Sequence, residues 1–213
     1  MAKLKFEIST SVDGFVAGPN QSVEHPLGEG GERLHEWAVG LASWRESHGK
    51  SGGETGPVDD LVRESLAANG AVIMGRNMFG GGKGPWGDDP WQGWWGDEPP
   101  FGMPVFVLTH HEREPLVKGK TTFTFVTDGI ESALEQAAAA AGDKYVQVSG
   151  GADVGQQYLR AGLLDQLHLH VAPVLLGGGT RLFDEGGPDL PTLEPTRVID
   201  SPAGTHIIYR VVN

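Results

Sequence analysis

Two short segments of this sequence join an apolar run, glycine and a polar or cationic group in an order that suits phosphate binding. In Val72-Ile73-Met74-Gly75-Arg76-Asn77-Met78 an apolar strand runs into glycine and then a cation. Glycine lets a ligand approach the backbone closely. Free amides beyond a strand end can cradle a phosphate, and a guanidinium offers its oxygens a planar fork. An ordinary turn carrying a solvated arginine is the plain alternative. In Val146-Gln147-Val148-Ser149-Gly150-Gly151-Ala152-Asp153-Val154 a strand meets a Gly-Gly turn and then a helix whose amides face back over the strand end. That arrangement seats a phosphate or pyrophosphate, with Asp153 placed to cap the helix. A tight turn without a ligand is the alternative here.

Other familiar patterns nearly match and fail. Gly49-Lys50-Ser51 has Trp44 where a P-loop needs its upstream glycine, and Gly82-Lys83 is followed by Gly84. In Gly150-Gly151-Ala152-Asp153-Val154-Gly155, Ala152 replaces the second glycine of the Rossmann fingerprint. No G-x-S-x-G or H-E-x-x-H occurs. His168 and His170 share one face of a strand and could ligate a metal. A solvated or subunit-facing strand surface is the preferred reading of that pair, and no metal is expected.

The elements that must hold these segments alternate between strand and helix. Leu4 to Val12 alternates Leu4, Phe6 and Ile8 with polar residues, a period-two strand ended by Asp13-Gly14. Leu34, Trp37, Leu41 and Trp44 recur at helical spacing, and residues 45–57 return to loop. Val58 to Asn69 reads as a helix with Gly70 just beyond it. Strands are expected at 71–74, 104–109, 123–126, 145–148 and 165–174, with helices at 130–141 and 153–161. Val198 to Asp200 and Thr205 to Val212 flank Ser201-Pro202-Ala203-Gly204, a hairpin signal. Strands separated by helices imply parallel crossovers. The expected fold is therefore α/β: a single three-layer domain over residues 1–213, with a mixed, mostly parallel twisted sheet, helices on both faces and a C-terminal antiparallel hairpin. Two excursions interrupt it, an insertion at about 18–57 and a Gly/Trp-rich loop at about 80–103 that holds Trp86, Trp91, Trp94 and Trp95.

Composition narrows the function classes. The chain has 213 residues, 16 basic against 28 acidic, for a net charge of −12. That balance disfavours a nucleic-acid surface, which needs clustered Lys and Arg. The absence of cysteine excludes disulfides, cysteine nucleophiles and the Cys-ligated zinc of nucleobase deaminases. No apolar run approaches a membrane span, and the N-terminus lacks a signal-peptide core, so a cytoplasmic protein without membrane partners is expected. The segment Leu163 to Val174 carries few charges for its length and suggests a homodimer formed beside it.

Met74-Gly75-Arg76-Asn77-Met78-Phe79 after a strand, Val107-Leu108-Thr109-His110 ending one, and Ser149-Gly150-Gly151-Ala152-Asp153-Val154 before a helix resemble the dihydrofolate reductase-like family. Ser11-Val12-Asp13-Gly14-Phe15-Val16-Ala17 matches its first strand and loop. The segment from Ala161 through Gln166-Leu167-His168-Leu169-His170 to Leu176-Gly177-Gly178-Gly179 is similar to the C-terminal reductase domain of the riboflavin-biosynthesis deaminase/reductase. Ser149 stands where that reductase usually has glutamate.

The resemblance implies NADPH as cofactor and hydride transfer to a C=N or C=O group of a small pteridine- or pyrimidine-like substrate. Carried over by position, Gly75, Arg76, Asn77 and Met78 would contact the phosphates. Thr109 and His110 would join Arg76 around the adenosine 2′-phosphate. Ser149, Gly150, Gly151, Ala152, Asp153 and Val154 would seat the pyrophosphate and the nicotinamide side. Ser9, Val16 and Ala17 would lie along the nicotinamide. A nearby acid must donate a proton, and Asp13, Glu32 and Glu36 are the candidates; a turn residue and solvated helix faces are their plain alternatives. The Trp-rich loop is either a lid or stacking wall for a flat heterocycle, or a satellite hydrophobic cluster or subunit contact. A non-catalytic ligand-binding or assembly protein on the same scaffold is the second function class.

Overall fold

The alternation that begins at Leu4 builds the centre of the molecule. In this computed structural model, residues 2–82, 84–183 and 190–212 are described. In chain order the elements are β1 (Leu4–Ser11), β2 (Phe15–Ala17), a 3-10 turn (Gly31–His35), α1 (Glu36–Val39), α2 (Ala42–Ser47), α3 (Pro57–Ala68), β3 (Asn69–Gly75), α4 (Arg76–Phe79) and β4 (Val105–Leu108). There follow β5 (Leu116–Lys118), β6 (Thr121–Val126), α5 (Ile130–Ala141), β7 (Tyr145–Gly150), α6 (Ala152–Arg160), β8 (Gln166–Ala172), β9 (Thr180–Arg181), β10 (Thr192–Ser201) and β11 (Gly204–Val212).

One nine-stranded sheet runs in the order β10-β11-β8-β1-β7-β3-β4-β6-β5. Its interior from β8 to β6 is parallel, and β11, β10 and β5 add antiparallel strands at the two edges. On one face, Leu4, Phe6, Ala71, Ile73, Val146 and Val148 pack under α5 and α6. The alanines Ala133, Ala137 and Ala141 form the buried stripe of α5, spaced by one turn. Gly155 of α6 lies so close to the Phe6 ring that a Cβ there would meet it at 2.1 Å. On the other face, Val72, Met74, Val105, Val107 and Phe123 are covered by the Trp-rich segment, while α3 and the Gly31–His35 turn lie over β1, β8 and the hairpin. Helices thus cover both faces, as the sequence predicts.

The structure revises several boundaries. The helix expected from Leu34 to Trp44 is three short turns, because Leu41 is extended and bridges Glu54. Its periodicity recorded burial rather than a continuous helix. Asn69 and Gly70 begin β3 instead of closing α3. Gly70 is required there by packing, since a Cβ would lie 2.6 Å from the Ala141 carbonyl oxygen. The short strands β2, β5 and β9 carried no readable signal. The strand expected at 165–174 is β8, Gln166–Ala172, in the interior between β1 and β11, so its low charge reflects this chain's own core. No helix among the described residues is long and apolar enough to cross a membrane.

Gly155→Ala is expected to destabilise the fold by about 1–3 kcal/mol through overpacking against Phe6, a fall in melting temperature of roughly 2–12 °C. Gly178→Ala, with no heavy atom within 4 Å of the added carbon, should leave it unchanged. Thermal unfolding of the two variants checks this.

Candidate active site

The two glycine-ended strands are neighbours. β3 and β7 pair in parallel with Met74 opposite Gly150. A Cβ on Gly75 would lie 2.9 Å from Val154 Cγ2, 3.6 Å from the Gly151 nitrogen and 3.8 Å from the Gly150 oxygen. The Arg76 turn and the Gly150–Gly151 corner therefore meet at one end of the sheet. The Gly150–Gly151 peptide is cis, and Gly151 faces open space. Gly151 is the N-cap of α6 and gives that helix no side-chain cap. Asp153 does not cap it either, contrary to the expectation above: its carboxylate accepts from Gln157 Nε2 at 2.8 Å. The first amides of α6 thus keep their donor capacity beside a half-buried glycine with open space at its Cα. This suits a pyrophosphate, by both the free donors and the helix dipole.

Beside this corner lies a cationic patch. The Arg76 guanidinium donates to the carbonyls of Gly80 at 3.1 Å and Gly81 at 3.2 Å, and to Thr109 Oγ1 at 3.4 Å. It also stacks on Trp86, 3.1 Å from the ring centroid. Arg113 approaches the same indole at 4.7 Å and donates to the Trp91 carbonyl. Among the described residues neither arginine has a carboxylate partner. Burial lowers the pKa of both, and the charge of Arg113 lowers that of Arg76 further. Two guanidinium groups without a counter-ion, in a chain of net charge −12, fit a dianionic ester. Asn77 and His110 are exposed nearby, and Met78 is half-buried with its sulfur 3.3 Å from where a Cβ on Gly150 would stand. Sequence reasoning missed Arg113, which sits in a loop with no motif.

The Trp-rich segment packs as a satellite hydrophobic cluster on this face of the sheet. Trp91 and Trp94 donate their indole N–H groups to the carbonyls of Phe79 and Met78, each at 2.9 Å. Trp86 donates to the His111 carbonyl at 3.0 Å. The indoles satisfy the carbonyl end of α4 and pack with Phe79, Phe123 and Phe125.

The candidates around β1 fall into different environments. Ser9 is buried near the end of β1 and accepts from Trp37 Nε1 at 3.0 Å. Val16 and Ala17 lie in β2, with Ala17 buried against β9. Asp13 accepts backbone bonds from Leu176 at 3.1 Å and Gly177 at 2.7 Å. The Ser11 hydroxyl first, then these amides, hold its carboxyl down to about 2. It is an anion that ties the β1–β2 turn to the glycine-rich segment after β8, and a poor proton donor at neutral pH. Glu32 and Glu36 are exposed, on the Gly31–His35 turn and on α1.

The half-buried carboxylate on this side is Glu7. It shares the polar face of β1 with Lys5 and Ser9, beside His168 and His170 of β8 and His206 of β11. His168 and His170 are only 6% and 4% exposed, which corrects the solvated or subunit-facing reading of that strand. Burial pushes the Glu7 carboxyl up, but the His170 hydrogen bond and the Lys5 charge outweigh it and hold it ionised. Burial pushes His168 and His206 down to about 4. No group of three or more His, Cys, Asp or Glu among the described residues could hold a metal. The available signal was that β1 and β8 both place ionisable residues at every second position; alternation alone does not tell which face meets water.

The model of the RibD C-terminal domain matches residues 2–207. The chain belongs to the RibD C-terminal domain family. Among solved structures, a protein assigned to riboflavin biosynthesis from Shewanella sp. PV-4 superposes with a TM-score of 0.64 at 21% identity, covering 100% of both chains. The diaminohydroxyphosphoribosylaminopyrimidine deaminase/5-amino-6-(5-phosphoribosylamino)uracil reductase of Thermotoga maritima gives 0.59 at 14% identity, covering 99% of this chain and 56% of its own. The riboflavin biosynthesis reductase Rib7 of Saccharomyces cerevisiae gives 0.53 at 13% identity, covering 100% of this chain and 89% of its own. At these identities the likeness is one of fold. None of the curated proteins compared with the chain matches it.

His168 and His206 are neutral in the fold but titrate near 6.5 when exposed. The unfolded chain therefore binds more protons between those values, and stability is lost as pH falls from about 6.5 through 4. The thermal midpoint should drop across that window, and the drop should shrink in His206→Gln. A flat profile in the unaltered chain contradicts the assignment.

Proposed function

We propose that this RibD C-terminal domain is an NADPH-dependent reductase that delivers hydride to a C=N or C=O group of a small pteridine- or pyrimidine-like substrate. Activity of the 5-amino-6-(5-phosphoribosylamino)uracil reductase or dihydrofolate reductase type fits that description. The observation that carries the reading is the contact between Gly75 and the Gly150–Gly151 corner, with Arg76 and Arg113 alongside. A dinucleotide with a pyrophosphate and a third phosphate needs such a pair of sites at a fixed separation. Family membership supports the same reading.

The dihydronicotinamide would supply the hydride; the chain's residues would bind, orient and exclude water. Gly151 and the first turn of α6 would hold the pyrophosphate. Arg76, fixed by two carbonyls and Trp86, would meet the 2′-phosphate together with Arg113, Thr109 and His110. Ser9, Val16 and Ala17 would lie along the nicotinamide at the end of β1 and in β2. Asp13 would keep the β1–β2 turn closed over that end through Leu176 and Gly177.

Titration of the pure chain with NADPH, followed by the fluorescence of NADPH itself, should saturate in the micromolar range. Arg113→Ala should weaken NADPH at least tenfold, about the 1.4 kcal/mol of one charge-assisted contact, and leave NADH unchanged. No saturable signal up to millimolar NADPH overturns the reading. Turnover is then screened over 5-amino-6-(5-phosphoribosylamino)uracil, dihydropteridines and small carbonyls. Binding without turnover leaves a nucleotide-binding protein in place of a reductase.

A further inference from the structure

The polar face of β1 continues across the sheet in three in-register rows. Lys5 stands opposite Gln166, Glu7 opposite His168, and Ser9 opposite His170, which in turn faces His206 of β11. Lys5, Ser9, His168, His170 and His206 are nearly fully buried, Lys5 and His206 at 1% exposure, and the Glu7 side chain is 15% exposed. Burying so many ionisable groups costs stability unless each is paired. A core strand does not require them.

They form one continuous chain of hydrogen bonds. Lys5 Nζ donates to Ser65 Oγ at 2.5 Å, and Ser65 Oγ donates to Glu7 Oε2 at 2.5 Å. Glu7 Oε1 accepts from His170 Nε2 at 3.3 Å, and His170 Nδ1 meets His206 Nδ1 at 2.8 Å. A single proton must lie between those two nitrogens, since two would repel and none would leave no bond. Trp37 lies over both rings, 4.4 Å and 4.7 Å between centroids, and donates to Ser9. At one end, Lys5, Ser65 and His168 line an open cleft between α3 and the sheet. At the other end, two groups have bonding capacity to spare. Ser9 Oγ has its own hydrogen to give, and His206 Nε2 is buried with no partner. An unpartnered buried polar atom is costly, which marks the place for a further group.

Reduction of a C=N or C=O bond places a hydride on carbon and a proton on nitrogen or oxygen. The hydride carries its electron pair from the dihydronicotinamide, which leaves oxidised. The proton has to come from the protein or from water. We propose that Ser65, Glu7, His170 and His206 relay this proton from the cleft: Glu7 hands it to His170 Nε2, His170 Nδ1 passes its own to His206 Nδ1, and His206 Nε2, buried without a partner, gives one to the acceptor. The proposal rests on the reductase reading and supplies a proton path to which Asp13, bonded to Leu176 and Gly177, does not belong. His170 is faced by Glu7 and Lys5 from β1, His168 on its own strand, His206 from β11 and His35 from the Gly31–His35 turn. Asp200 of β10 acts on His206 from behind. Each step from Ser65 to His206 moves a proton along an existing hydrogen bond, and the cleft restores it from water.

Glu7→Gln and His170→Gln preserve shape and break the path, and NADPH oxidation with 5-amino-6-(5-phosphoribosylamino)uracil and with dihydrofolate reads the effect. Affinity for NADPH should stay within twofold and KM for the acceptor within threefold, while kcat falls about 100-fold, the usual contribution of a positioned acid. The solvent deuterium isotope effect on kcat should grow as proton delivery becomes limiting. Ser65→Ala, which cuts the path at the cleft and leaves the Glu7–His170 pair whole, should lower kcat about tenfold with the same isotope signature. It keeps the test open should Glu7→Gln fail to fold. If the unaltered chain turns over and Ser65→Ala and His170→Gln keep kcat within threefold and its pH profile, the path is wrong and the reductase reading stands. If NADPH binds but neither acceptor is reduced by the unaltered chain, the reductase reading falls and takes the path with it.

Discussion

The contact on which the rest of the site depends is backbone against backbone. β3 and β7 end side by side, and there is no room for a side chain on Gly75 next to Val154 and the Gly151 amide. That closeness brings the Arg76 turn and the start of α6 to one corner of the sheet. In an open parallel sheet, strand carboxyl ends with crossover helices leaving them are where free amides and positive helix ends collect. The Trp-rich segment serves the same corner. Its indoles bond the carbonyls of Met78 and Phe79, and its Trp86 ring carries both guanidinium groups. Charge is thereby concentrated locally in a chain whose overall balance is acidic.

The other half of the molecule is organised by a different constraint. β1 must be buried on both faces because β7 and β8 flank it and helices lie above and below. Leu4 and Phe6 meet this with apolar packing. Lys5, Glu7 and Ser9 meet it with partners: the carboxylate is held between an ammonium group, a hydroxyl and an imidazole. Low surrounding polarisability makes such a network strong when complete and expensive when broken. The atoms it leaves without a hydrogen-bond partner, His168 Nδ1 and His206 Nε2, are therefore the informative ones.

Much of the fold could be read from residue order, and the reasons are local. The alanine run of Ile130–Ala141 and the stop at Gly142 gave α5 its observed bounds, because propensity and a positive-φ glycine agree there. The hairpin at Ser201–Gly204 and the parallel strands around β3 and β7 likewise followed from turn residues and apolar runs. The helix over Leu34–Trp44 did not, since burial at helical spacing is equally met by three turns folded around Leu41. The adjacency of Gly75 and Gly150 was legible as two junctions of the same kind. The environment of each carboxylate was not. Asp13 and Glu7 both sit on β1 or its turn, one bonded to loop amides and one sealed under Trp37 and α3. That distinction is tertiary, as is the pairing of Arg113 with Trp86, and no spacing rule in the chain encodes it.

The most direct measurement is a crystal structure of the chain grown with NADPH. The account predicts the pyrophosphate against Gly151 and the first turn of α6, the 2′-phosphate between Arg76 and Arg113, and the nicotinamide beside Ser9. A dinucleotide bound elsewhere, or one whose phosphates avoid the corner between Gly75 and Gly150, would contradict it.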